Sequence, residues 1–210
     1  MSAPVAILDY GMGNLGSVAN MIRHVGGQAE LLAEPDALES CQKIILPGVG
    51  QFGEGMRRLR EGGWIAALNT ARERGAWILG ICLGMQLLIQ SSEESECDGL
   101  GWFDFQAKRI LDHTDSGERR RVPHMGWNLA EFRGEANGAL ADLSRYYFVH
   151  SYCVANIDDP RSWAITEYEG LRFSSAIRDE CVMGVQFHPE KSHRYGKALV
   201  RHFMELADQA

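Results

Sequence analysis

Cys82 stands between two glycines in Gly80-Ile81-Cys82-Leu83-Gly84, directly after the apolar run Ala76-Trp77-Ile78-Leu79 and directly before a helical pattern of Leu83, Gln86 and Leu87. A strand that turns sharply into a helix at Gly-x-Cys-x-Gly is a nucleophile elbow. The residue at the tip has a strained backbone, and side chains two positions either way would collide, which is the steric reason for Gly80 and Gly84. At the start of a helix, free backbone N–H groups favour thiolate over thiol, and the Leu83 N–H would point at an oxyanion formed by attack on a carbonyl. The plainer alternative is a small buried cysteine after a strand, and the paired glycines weigh against it.

A cysteine nucleophile needs a base within hydrogen-bond reach and a third group to orient that base. Gly184-Val185-Gln186-Phe187-His188-Pro189-Glu190 offers both. An apolar strand ends in His188, Pro189 keeps the backbone out of a helix, and Glu190 can fix the imidazole tautomer that accepts the thiol proton. His24, His113, His124, His150 and His202 rank lower as bases. A metal held by His188, Glu190 and His193 is the competing use of these residues, but no further ligand cluster has metal-site spacing. Contact between Cys82 and His188 is an expectation about the fold.

The elements that must bring them together alternate. Val5 to Tyr10 reads as a strand ending in Gly11-Met12-Gly13-Asn14, and Leu15, Val18, Ala19, Ile22 and Val25 follow at helical spacing. The loop lacks the full dinucleotide fingerprint and its downstream acid. Ala29 to Leu32 and Lys43 to Leu46 read as further strands, the latter running into Pro47-Gly48-Val49-Gly50-Gln51-Phe52-Gly53. That loop is placed to supply a second oxyanion N–H, and its glycines let a peptide reorient at little steric cost. Helices are expected over Glu54 to Glu61 and Trp64 to Arg74, and Ser91 to Glu96 reads as a polar loop. From Leu100 onward, aromatic and β-branched runs (Trp102 to Ile110, Trp127 to Phe132, Tyr146 to Val154, Trp163 to Tyr168, Phe173 to Ile177, Val182 to Phe187) suggest added strands, some antiparallel. A last helix carries Tyr195, Leu199, Phe203 and Leu206 on one face.

Gly80 to Gln86 and Gly184 to Ser192 together resemble the class I, triad-type glutamine amidotransferases. Pro47 to Gly50, Pro123-His124-Met125-Gly126-Trp127-Asn128 and Tyr146 to Tyr152 narrow the resemblance to the glutaminase subunits of imidazole glycerol phosphate synthase, over essentially the whole chain. The resemblance implies a flavodoxin-like α/β fold: a mostly parallel central sheet, helices on both faces and added antiparallel strands. It further implies a catalytic triad of Cys82, His188 and Glu190, an oxyanion hole from the amides of Val49 and Leu83, and glutamine contacts from Gly50, Gln86, Ser151 and Tyr152. Ammonia would pass to a (β/α)8-barrel synthase subunit, with Asn14, Trp127 and Lys191 facing that partner. No cofactor is implied. A related amidotransferase subunit feeding another acceptor, a non-catalytic regulatory subunit and a free-standing cysteine hydrolase are the rival readings.

Composition agrees with such an enzyme. The 210 residues suffice for one domain over 1–210, with 45% hydrophobic and 23% charged residues. A net charge of −7 argues against nucleic acid or an anionic membrane as the main partner. The basic runs at Arg57-Arg58-x-Arg60 and Arg119-Arg120-Arg121 lie beside glutamates and read as solvated faces. No apolar run reaches membrane length and no leader pattern is present, so a cytoplasmic location is expected. Five cysteines without a Cys-x-x-Cys pair support neither a disulfide framework nor a zinc knuckle.

Overall fold

The computed structural model describes residues 3–114, 117–134, 140 and 144–208. Its first half winds strands and helices alternately. β1 (Val5–Leu8) and β3 (Lys43–Leu46) are buried at every position, as strands covered on both faces must be. With β2 (Ala29–Leu32), β4 (Trp77–Ile81) and β13 (Val182–Val185) they form a parallel run in the order β2-β1-β3-β4-β13. Alternate residues of β1 point to opposite cores: Val5 and Ile7 to one, Ala6 and Leu8 to the other.

The helices divide accordingly. α1 (Leu15–His24) buries Val18, Ala19, Met21 and Ile22 on the first face, beside Leu199, Val200 and Phe203 of α5 (His193–Asp208). Asn14 caps α1, its Oδ1 accepting the Ser17 N–H at 3.2 Å. α2 (Phe52–Glu61), α3 (Trp64–Glu73) and α4 (Leu83–Leu88) cover the other face through Phe52, Met56, Leu59, Leu68 and Leu87.

Beyond β13 the sheet continues with antiparallel neighbours: β12 (Leu171–Asp179), β10 (Tyr152–Val154) and β7 (Phe103–Arg109), then β5 (Ile89–Ser92), parallel to β7, and β6 (Ser95–Asp98) at the edge. A branch leaves through β11 (Ser162–Tyr168), which pairs with both β12 and β8 (His124–Phe132), and β8 pairs with β9 (Ser144–His150). No helix of the described residues is long and apolar enough to cross a membrane.

Three local expectations change. The polar stretch Ser91 to Glu96 is a hairpin, β5 to β6, rather than a loop. It earns its place through Glu94, whose carboxylate accepts the Phe52 N–H at 2.8 Å at the start of α2, where Gln51 makes no side-chain cap. The run Tyr146 to Val154 is not one strand: it breaks at Ser151, since β9 pairs with β8 whereas β10 pairs with β7 and β12. The basic run 57–60 is the solvated face expected, with Arg57 paired to Glu54 and Glu61 and Arg58 to Glu54. Arg120 is instead buried, donating to the backbone carbonyls of Glu169 at 3.2 Å and Leu111 at 3.1 Å.

Candidate active site

Cys82 joins β4 to α4 with φ 54° and ψ −108°, a conformation a side chain adopts only under constraint. The constraint is backbone crowding. A Cβ on Gly84 would lie 1.9 Å from the Leu46 carbonyl oxygen, and one on Gly80 would lie 2.7 Å from the Gly84 carbonyl. A Cβ on Gly48 would come within 2.7 Å of the Gly84 nitrogen, so the loop after β3 also presses on the elbow. Tyr10 fastens that loop from below, its buried hydroxyl donating to the Pro47 carbonyl at 2.7 Å. Gly50 takes φ +116° there and Val49 is 42% exposed.

Register explains how two distant motifs meet. β13 lies parallel to β4 with Gly184 opposite Gly80 and Val185 opposite Ile81, and the Cys82 N–H donates to the Val185 carbonyl at 2.7 Å. Three residues beyond Val185 the chain reaches His188. Its N–H donates to Tyr147 O at 2.9 Å, and its carbonyl accepts the Ser192 hydroxyl at 2.6 Å. The same hydroxyl oxygen accepts the Tyr147 N–H at 3.0 Å, locking the turn to β9. α5 can approach this turn because Gly196 lacks a Cβ, which would sit 1.8 Å from the Pro189 oxygen.

His188 is 1% exposed, and its Nδ1 lies 2.7 Å from Glu190 Oε1. Burial works against the charged imidazolium, but the facing Cys82 sulfur and the Glu190 carboxylate outweigh it and push His188 up to about 10. Nε2 has no partner at ordinary hydrogen-bond geometry, so it is the nitrogen left for a reacting molecule. Gln186, buried and one strand repeat before His188, turns the same way: its amide nitrogen is 3.8 Å from Cys82 Sγ and its Oε1 accepts from Gln86 Nε2 at 2.9 Å. Gln86 Nε2 also donates to the Tyr152 carbonyl at 3.2 Å.

A cavity of about 320 Å³ opens on this corner, lined by Val49, Gly50, Cys82, Leu83, Gln86, Glu94, Pro123, Val149, His150, Ser151, Tyr152 and His188. Every residue expected in the triad, the oxyanion hole or the glutamine contacts is therefore at the cavity or, for Glu190, directly behind it. Sequence reasoning missed Tyr10, Glu94, Gln186 and His150. Gln186 left a signal, as a polar residue on the Gly184–His188 face of an otherwise apolar strand.

The three residues expected at a partner surface lie elsewhere. Asn14 is the α1 cap. Lys191 places its ammonium 5.6 Å from the Tyr147 ring centroid, and Trp127 stacks on His193 at 5.5 Å. Trp127 belongs to a larger feature: Met125, Trp127 and Leu129, on one face of β8, are all exposed. His193 stacks on Trp127 and shares a groove with Glu190 and Lys191, and among the described residues no three His, Cys, Asp or Glu side chains are grouped to hold a metal ion.

Residues 6–206 match the family model described as glutamine amidotransferase class-I. The chain is 44% identical over 207 residues to imidazole glycerol phosphate synthase subunit HisH 2 of Methanococcus maripaludis, covering 97% of this chain and all of that one. It is 40% identical to imidazole glycerol phosphate synthase subunit HisH of Moorella thermoacetica, covering 99% and 97%. Among solved structures, it resembles PurLQS from Thermotoga maritima with a TM-score of 0.75 at 20% identity, covering 98% of this chain and 99% of that one. A crystal structure of a glutamine amidotransferase also gives 0.75, at 19% identity, covering 97% and 99%. At that identity the two structural likenesses establish the fold.

Proposed function

The chain belongs to the class-I glutamine amidotransferases, among the HisH subunits of imidazole glycerol phosphate synthase, and from that premise we propose how its residues divide the work of glutamine hydrolysis. Cys82 Sγ attacks the side-chain carbonyl carbon of glutamine, and the tetrahedral oxyanion is received by the N–H groups of Leu83 and Val49. His188 Nε2 gives its proton to the departing nitrogen, so ammonia leaves and a thioester remains. A water then attacks the thioester carbon while Nε2 takes its proton. Glutamate departs and the sulfur is restored. Glu190 keeps Nδ1 occupied, which aims Nε2 at the reacting atoms.

Gly50, Gln86, Ser151 and Tyr152 hold the glutamine. Gln86 does so with its Oε1, because its nitrogen is committed to Tyr152 and Gln186. The observation that carries this assignment is the single cavity on which the elbow, the His188 imidazole and these residues converge.

Ammonia at neutral pH is mostly ammonium, a poor nucleophile, so useful delivery requires a sealed joint with the acceptor enzyme. The partner is a (β/α)8-barrel synthase subunit, and the joint includes Asn14, Trp127 and Lys191 together with the exposed apolar stripe Met125, Trp127 and Leu129. The product ammonia then serves histidine biosynthesis.

The isolated chain is a weak glutaminase, and the loaded partner activates it by reorienting the glycine-flanked Val49 peptide. Steady-state glutamine hydrolysis with and without the barrel subunit tests this. The expected result is a rise of about a hundredfold or more on adding the loaded partner, the size of one lost or gained oxyanion donor. Equal rates would remove the switch.

A further inference from the structure

His124 and His150 are both buried, face each other across the β8–β9 pair and are not in the triad. His150 Nδ1 lies 2.8 Å from the Tyr152 carbonyl, His124 Nδ1 lies 2.9 Å from His150 Nε2, and Asn128 Nδ2 lies 3.3 Å from His124 Nε2. A carbonyl can only accept, so His150 carries its proton on Nδ1. Its Nε2 is then an acceptor, which requires the proton of His124 on Nδ1 as well. His124 Nε2 in turn accepts from Asn128, whose other N–H goes to the Glu167 carbonyl at 2.9 Å. Every contact in the series is satisfied in one direction, and only with both rings neutral.

The surroundings keep them neutral. His124 is stacked between Tyr168, at 3.9 Å between centroids, and Phe148, at 4.7 Å. His150 meets Phe173 edge-on at 5.2 Å. Burial, the largest influence on each, pulls His124 down to about 4 and His150 to about 3.

The series ends on a functional atom. The Tyr152 carbonyl that accepts from His150 also accepts from Gln86, which holds Gln186 beside Cys82. We propose that His124 and His150 form a one-way relay of neutral imidazoles that positions the Ser151–Tyr152 wall of the glutamine cavity, so that both are positioning residues for glutamine binding. At its other end the relay starts on β8, the strand whose opposite face bears Met125, Trp127 and Leu129. This deepens the glutaminase reading and rests on it for its kinetic readout.

His124→Phe keeps the stacked ring and removes the donor, leaving His150 Nε2 a buried acceptor without a partner. In the full chain the KM for glutamine should rise about tenfold with kcat changed less than about threefold, the usual cost of one stranded buried acceptor. His124→Asn puts an amide N–H where Nδ1 was and should restore KM to within about threefold of wild type. An unchanged KM in the Phe variant, or a failure of Asn to rescue, overturns the relay. Independently, long-range nitrogen–proton NMR of the wild-type chain should place the proton of both imidazoles on Nδ1 at pH 6. A proton on Nε2 of either ring overturns the proposal even if the Phe variant does not fold. Wild-type protein that fails to turn over glutamine even with the loaded barrel subunit would sink the glutaminase reading and leave the NMR result to decide the relay.

Discussion

Two corners of this molecule bury histidine, and they charge it oppositely. At the end of β13, His188 is pushed up to about 10, whereas across the β8–β9 pair His124 and His150 are drawn down to about 4 and 3. Burial acts the same way in all three, against the imidazolium. The difference is what meets the ring nitrogens. His188 has a carboxylate at 2.7 Å on one side and the Cys82 sulfur on the other. His150 has a neutral carbonyl and a second imidazole, and His124 has aromatic faces and an amide. A buried histidine is thus held charged or neutral according to its anionic neighbours.

The sharpest way to break this contrast is to remove the anion. Glu190→Gln keeps the shape and a contact at Nδ1 but should lower glutamine turnover about a thousandfold, since the amide neither fixes the productive tautomer nor stabilises imidazolium. In the same variant the His188 titration followed by NMR should fall toward ordinary imidazole values. Turnover within tenfold of wild type, with His188 still charged at pH 8, would mean the carboxylate is not what separates the two corners.

A smaller effect should appear in stability against pH. His124 and His150 titrate near 6.5 when unfolded and far lower when folded, so between pH 6.5 and 4 the unfolded chain binds more protons. Their contribution is complete above pH 6.5 and is lost as pH falls toward the folded values. The neighbours that modulate this are Glu169 at His124 and His188 at His150. Urea unfolding should therefore show a pH slope in that range shallower by about 1.4 kcal/mol per pH unit in His124→Phe than in wild type, one proton's worth. Identical slopes would show that His124 is not held neutral. His188 runs the other way: its raised value gives stability present below pH 6.5 and lost as pH climbs toward 10.

The two corners also differ in how much of them could be read from the chain. Cys82, His188 and Glu190 announce themselves because their requirements are local: glycines two positions from a strained tip, a proline and an acid beside a base. The strands β1, β3 and β4 were equally open, since strands buried on both faces are continuous apolar runs, whereas β13 read as one of the added strands and only its register beside β4 puts it in the parallel run. The His124–His150 contact depends on the antiparallel register that sets those residues opposite each other, and nothing near either one encodes it. Tyr10 reaches Pro47 and Gln186 reaches Gln86 by the same long-range logic. The β5–β6 hairpin escaped for a different reason: an edge strand with polar residues lacks the apolar alternation that marks a strand, and its stabilising contact, Glu94 at the start of α2, is 42 residues away in sequence.

The division of labour proposed for the triad reduces to one covalent event on one sulfur. Acid-quenching the full chain during glutamine turnover and mapping its peptides by mass spectrometry should reveal a glutamyl thioester on the peptide containing Cys82, and none in Cys82→Ala, which should also lose turnover. Turnover that persists in Cys82→Ala, or an adduct that maps to Cys41, Cys97, Cys153 or Cys181, would contradict the account.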